Sequence, residues 1–331
     1  MPPRHLRVHI GAPKTGSTAL QRMLTARQAE LASLGIRYPN VSLRGGGHHD
    51  VAFLLGGGYP EWATPQPLGI DTLGEQLAAD LRDRDHTLLL SSEDFYLFPK
   101  PQALLDWVCR WAGAPETVTI DVVVRDQPSQ AVSWYNQIVK AQGFAGTFAA
   151  SLQRDGDLWD YEAQLAPWAQ TFGDDALRLF RYPTQGGDIC KIYASELGLS
   201  AGWRSPAPTE QVNRRLLRDV LEFQRLLNGL PLPTVKKRRL HRSLMALSAQ
   251  DPRPAALRDA PIADPTMLQS IAQRYQQSNN TTEARWGRGQ VLFAPAGGPA
   301  PAKPVQAPPH EPLSGDAVAT IVGWLLLRDE D

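Results

Sequence analysis

Eight consecutive residues, Gly11-Ala12-Pro13-Lys14-Thr15-Gly16-Ser17-Thr18, bring together one lysine, three hydroxyl groups and two glycines. Residues 6–10 before them read as a short buried strand. From Ser17 the spacing of Leu20, Met23, Leu24 and Leu31 predicts a helix opened by two good capping residues. Where a strand hands over to a helix, backbone N–H groups and the helix dipole converge on one point, so a phosphate-like anion is expected there. The common nucleotide loop, GxxxxGK[ST], requires lysine at position 17. Here that position is Ser17 and the lysine is Lys14, inside the loop, which weakens an ordinary ATPase or GTPase reading.

A second group suited to anions follows residues 117–124, a β-branched run that reads as a strand. It comprises Arg125, then Pro128, then Ser133 eight residues after the arginine on a predicted helix. A planar guanidinium can grip a phosphate in two places, and a serine on the second helical turn can approach the same group. A third group is suited to moving protons. Glu93, in Ser92-Glu93-Asp94-Phe95-Tyr96, follows a predicted strand at 86–91 and offers a carboxylate to an acceptor hydroxyl. His48 and His49 follow Gly45-Gly46-Gly47 in a segment that reads as flexible, and they are rival bases or substrate contacts. Two adjacent histidines without further ligands do not make a metal site.

These residues need a scaffold. Predicted strands at 6–10, 86–91, 117–124 and 177–182 alternate with helices at 102–112, 128–140 and around 189–197. That alternation implies an α/β fold with a central parallel sheet covered on both faces. Beyond residue 200 helices dominate, at 212–227 and 267–277, with a basic stretch at 236–242 between them. Residues 294–312 read as a Pro/Ala-rich linker, and 313–331 as a C-terminal helix.

Lysine plus arginine and aspartate plus glutamate both number 34, so no overall field draws the chain to nucleic acid or an anionic membrane. Cys109 and Cys190 are far apart and form no zinc motif, which fits a reducing, cytoplasmic setting. The longest apolar run, 317–327, is about half the ~20 residues of a membrane span.

Pro13-Lys14-Thr15-Gly16-Ser17-Thr18 resembles the 5′-phosphosulfate loop of the sulfotransferases that use 3′-phosphoadenosine 5′-phosphosulfate (PAPS). Arg125 and Ser133 resemble their 3′-phosphate motif in type, spacing and context. The resemblance implies a P-loop-like three-layer fold with a central parallel sheet and a largely helical C-terminal half, all within a sulfotransferase domain over 1–293. It implies PAPS as donor, an acceptor hydroxyl or amine, the bisphosphate PAP as product, and no metal. Lys14 would stabilise the leaving group, Thr15, Gly16, Ser17 and Thr18 would hold the 5′-phosphate, and Tyr182 would lie against the adenine, although Pro183 and Thr184 stand where the family has an acidic pair. Glu93 resembles the catalytic glutamate of glycosaminoglycan sulfotransferases, which favours a carbohydrate acceptor such as a polysaccharide or glycolipid.

The family's RKGxxGxW signature is missing. Arg285-Trp286-Gly287-Arg288-Gly289 and Lys236-Lys237-Arg238-Arg239 are the candidates to fold over the donor in its place. Two rivals stay open: a P-loop kinase acting on a small molecule, which needs an acidic metal ligand at a strand end, and a nucleotide-binding scaffold without turnover.

Overall fold

The computed structural model describes residues 3–81, 86–183, 187–200, 216–293 and 312–327. Five strands, β1 (His5–Gly11), β2 (Ile36–Arg37), β3 (Thr87–Ser91), β4 (Thr117–Val124) and β5 (Leu177–Arg181), form one parallel sheet in the order β2-β3-β1-β4-β5. From β1 the chain runs out to the edge strand β2, returns to β3 beside β1, and then crosses to β4 and β5 on the other side. The loops after β1, β3 and β4 therefore converge at the switch point of an open α/β sheet, where such folds hold ligands.

The helices, in chain order, are α1 (Ser17–Ala26), α2 (Gln28–Ser33), α3 (His49–Leu55), α4 (Ile70–Asp80), α5 (Asp94–Leu97), α6 (Pro101–Ala112), α7 (Gln127–Ala141), α8 (Phe148–Asp155), α9 (Tyr161–Phe172), α10 (Ile189–Glu196), α11 (Arg218–Asn228), α12 (Thr234–Ser248), α13 (Pro265–Trp286) and α14 (Gly315–Leu326). The chain divides into two compact units. The first comprises Met1–Asp126, Asp157–Ser205 and Tyr275–Ala294 and contains the sheet. The second comprises Gln127–Gly156, Pro206–Arg274 and Pro295–Asp331 and is helical among its described residues.

In the first unit the two-residue period of the strands separates two cores. Leu6, Val8 and Ile10 of β1, with Leu88, Leu90, Ile120, Val122 and Val124, face α3, α4, α6 and α9. Leu89 and Val123 face the other way, onto Leu20, Met23 and Leu24 of α1 and Tyr193 of α10. On that second face β1 carries Arg7 and His9. Arg7 pairs with the buried Asp121 of β4, which also accepts from the Tyr193 hydroxyl, so the charges are compensated in place.

The expected strands and most expected helices are present, with four differences. The helix opened by Ser17 breaks at Arg27, whose backbone leaves helical geometry (φ −111°) and whose buried guanidinium is tied to Glu30 and Ser200. The histidine segment expected to be flexible is ordered: α3 starts at His49, and the His48 N–H bonds the Ser91 carbonyl at the end of β3. The helix expected at 267–277 runs on to Trp286. The basic stretch at 236–242 lies within α12, with Lys236, Arg238 and Arg239 exposed.

In the second unit Asn228 of α11 donates to the Val139 and Phe144 carbonyls, and Trp324 of α14 donates to the Ser243 carbonyl of α12. The linker at 294–311, Thr184, and residues 212–215 at the start of the helix expected at 212–227 lie outside the described residues.

Candidate functional site

β1 ends at Gly11, and the loop to α1 is shaped by backbone that favours glycine. Gly11, Lys14 and Gly16 all have positive φ, at 111°, 65° and 88°. Gly16 caps α1 in the left-handed conformation with no side-chain hydrogen bond to the helix, and a β-carbon there would meet Ile189 Cγ2 at 2.8 Å. The site is thus closed to any other residue both by φ and by space.

Ser17, 4% exposed on the first turn of α1, leaves its hydroxyl without a partner. A buried unpaired hydroxyl at a helix N-terminus is an incomplete structure that an anion completes. Thr15 behaves differently from the expectation: its hydroxyl donates to the Ala12 carbonyl at 2.6 Å, so that proton serves the loop and is unavailable to an anion. Thr18 is half-buried on the same turn.

Arg125, the first residue past β4, reaches this loop. Its Nη1 donates to the Lys14 carbonyl at 3.0 Å, and its guanidinium lies 4.8 Å from the centre of the Tyr182 ring. Tyr182 follows β5 and is anchored by its N–H to the Val124 carbonyl at 2.7 Å. Tyr161 of α9, which the sequence did not single out, fixes the arginine's backbone: its hydroxyl accepts from the Arg125 N–H at 2.9 Å and donates to the Arg125 carbonyl at 3.0 Å. Lys14, Arg125 and Tyr182 are thereby gathered at one end of the sheet. Ser133 lies on α7 of the second unit.

Glu93 sits across from the loop. A β-carbon on Gly11 would lie 3.2 Å from the Glu93 Cα and Cβ, so β3 delivers its carboxylate directly beside the end of β1. Gln21 of α1 donates to Glu93 Oε2 at 2.8 Å. Gln21 lies four residues after Ser17, on the same helical face, a relation readable from the sequence but overlooked there.

His49 Nε2 stands 4.0 Å from the same Glu93 oxygen, while its Nδ1 is 2.6 Å from Asp94 Oδ2 and 2.9 Å from the Ser92 hydroxyl. Burial alone would lower the His49 pKa. The Asp94 hydrogen bond and the charges of Glu93, Asp94 and Asp50 outweigh it, and the net direction is up. The approach of these groups depends on Gly47, where a β-carbon would meet Gln21 Cδ and His49 Nε2 at 2.7 Å.

Two expectations are corrected. His48 is not a base: it is fully buried, its Nδ1 accepts from the Ser91 N–H at 3.1 Å, and its Nε2 lies 3.0 Å from the Pro39 carbonyl. Burial pushes its pKa down to about 4, so it stays neutral and structural. The segment from Arg285 to Gly289 does not cover the loop at Lys14. Arg285 pairs with Asp174, and Arg288 donates to the Asp175 and Leu177 carbonyls, at the start of β5 and hence at the sheet end opposite the loop.

Among the described residues no group of three or more His, Cys, Asp or Glu is arranged to hold a metal ion, and no helix is long and apolar enough to cross a membrane. No protein-family model matches the chain, and no curated protein matches it. Among solved structures it is similar to a sulfotransferase from Alicyclobacillus acidocaldarius, at 16% identity and a TM-score of 0.39, over 76% of this chain and 97% of that one.

Proposed function

We propose that this chain is a sulfotransferase that moves a sulfuryl group from PAPS to an acceptor hydroxyl, on a carbohydrate by preference. The observation that carries the reading is the hydrogen bond from Arg125 to the Lys14 carbonyl. It draws a strand-end arginine to a lysine-bearing loop whose helix start holds an orphaned, buried serine hydroxyl. Two anion-seeking groups of opposite ends of a nucleotide bisphosphate thus adjoin, with an aromatic ring under one of them.

In this mechanism Gly16, Ser17 and Thr18 hold the 5′-phosphate at the start of α1, with Thr15 shaping the loop. Arg125 holds the 3′-phosphate. Glu93 takes the proton of the acceptor hydroxyl as the new O–S bond forms. Lys14 neutralises the charge that collects on the phosphate oxygen as its bond to sulfur breaks, so PAP leaves with the electron pair. His49, made more basic by its hydrogen bond to Asp94, stands with Nε2 4.0 Å from Glu93 Oε2 and helps to position that carboxylate. The free thiols of Cys109 and Cys190 support a reducing, cytoplasmic setting.

A second reading is favoured by one observation. Glu93 lies two residues past the end of β3, the strand adjoining β1, and P-loop NTPases keep a metal-holding acid on a strand beside the loop. A small-molecule kinase therefore remains the rival. Thermal shift separates the two, because a ligand that binds the native state raises its apparent stability. The sulfotransferase reading expects PAP to stabilise the chain without Mg²⁺ and ATP to do so weakly with or without it. Stabilisation by Mg²⁺-ATP alone reverses the assignment.

A further inference from the structure

Beyond the donor loop and the Glu93 cluster, the first unit carries an aromatic group that the mechanism above leaves unused. Phe53, one turn after His49 on α3, is buried, and its ring lies 6.4 Å from His49 in a stacked arrangement. Around it stand Trp62 at 5.5 Å, edge to face, Tyr59 at 5.6 Å and Phe98 at 6.1 Å. Phe98 closes the short helix α5 that Glu93 opens. The cluster is therefore held by the two elements that carry the Glu93 and His49 side chains.

The loop bearing Trp62 is built to hold it there. After α3 the chain reverses through Gly56, Gly57 and Gly58. A β-carbon on Gly56 would lie 2.8 Å from Phe98 Cβ, Gly57 and Gly58 have φ of 111° and 130°, and the Gly58 N–H returns to the Phe53 carbonyl at 2.8 Å. Further along, Arg44 clamps the loop by donating to the Thr64 carbonyl at 2.8 Å while paired with Asp50. Trp62 is nevertheless 38% exposed, more than any other tryptophan among the described residues. An indole packed edge to face on Phe53, partly open to solvent and flanked by exposed Glu61, Thr64 and Gln66, is a flat apolar group with a polar rim.

We propose that Trp62 is an acceptor subsite for a pyranose ring, which lays its apolar face on the indole while a hydroxyl of the same saccharide reaches Glu93. The contact with Glu93 rests on the sulfotransferase reading, whereas the stacking on Trp62 does not. A pyranose suits the surface because its axial C–H groups make a flat apolar face and its hydroxyls form a polar edge that meets the rim. A lipid chain would need a closed apolar groove, and an isolated, rimmed indole is not one.

The test is saturation-transfer NMR and calorimetry on the full chain with cellohexaose, maltohexaose and chitohexaose, with p-nitrophenol as a planar non-sugar probe. The proteins are wild type, Trp62→Leu and Trp62→Phe. Leucine keeps apolar packing on Phe53 without a flat face, and phenylalanine keeps the face. At least one hexasaccharide should bind wild type, bind Trp62→Leu at least about fivefold more weakly, and bind Trp62→Phe nearly as well as wild type.

PAP-induced thermal stabilisation, read alongside, should be equal in all three proteins. If none of the hexasaccharides binds wild type, if Trp62→Leu binds them equally well, or if only p-nitrophenol depends on Trp62, the subsite is overturned. If PAP fails to stabilise any of the proteins while sugar binding still depends on Trp62, the subsite stands and the transfer reading falls.

Discussion

Arg125 and Lys14, far apart in sequence, are joined by a hydrogen bond of 3.0 Å from the guanidinium to the loop carbonyl. The bond uses one of the arginine's five donors and aims the group along the loop. Tyr161, holding both backbone polar atoms of Arg125, fixes the strand end from which it reaches.

Because Tyr161 secures the backbone independently, Arg125→Met should fold and yet lose donor affinity. Removing a charge-assisted contact to a phosphate costs about 2–4 kcal/mol, which is on the order of a hundredfold in PAP affinity. Calorimetric titration of PAP into both proteins checks it, and an unchanged affinity would remove Arg125 from the donor site.

Gly47→Ala should act on the Glu93 cluster and spare the donor loop. Its new methyl group would press on the Gln21 amide and His49 Nε2 at 2.7 Å. We expect a fall in kcat of about tenfold or more with PAP affinity unchanged, since small displacements of positioned groups are costly to the chemical step. Single-turnover sulfation with radiolabelled PAPS, on whichever acceptor proves active, is the measurement.

Asp94→Asn should lower the His49 pKa, because it removes a negative charge and a partner that both favour the imidazolium. NMR titration of the His49 ring in the two proteins reads this without any acceptor. Where an acceptor is in hand, the alkaline limb of kcat/KM should move to lower pH in Asp94→Asn. A limb that does not move argues that the His49 charge has no part in catalysis.

Stability should fall as pH drops from about 6.5 towards 4. His9 and His48 are fully buried, and burial holds both pKa values down to about 4. Between 4 and the unfolded value near 6.5 the unfolded chain binds more protons than the folded one, so acid favours unfolding. The loss below pH 4 amounts to roughly 3 kcal/mol for each histidine. Denaturant midpoints across this range should slope downward with acid, and the slope should flatten in His48→Gln.

Arg288→Ala should leave PAP binding untouched, since Arg288 donates to carbonyls at the start of β5, away from the loop. A weakened titration would show that this segment reaches the donor after all.

Most of the scaffold was readable in advance because local signals were strong. β4 is a run of β-branched residues bounded by turns, and the loop at Lys14 lies between a strand and a capped helix. The two-residue β2 carries no period to detect, and α3 was hidden behind three glycines, since its first residue is fixed by the bond from His48 N–H to the Ser91 carbonyl. The candidate site was legible where neighbouring residues of one segment supply it, as with Lys14 and Ser17. It was not legible where the sheet brings separate elements together: Asp94 against His49, Tyr161 against Arg125, and Gly47 making room for both Gln21 and His49.

The alternation of side chains along β1 has a consequence for how the sheet can assemble. Sliding β1 by one residue against β3 and β4 would turn Arg7 and His9 into the aliphatic layer beneath α6 and α9, and would strand Asp121 without its guanidinium. A register one residue out is thus penalised by buried and unmatched charge, and the face that β1 turns to each layer is fixed by its own sequence.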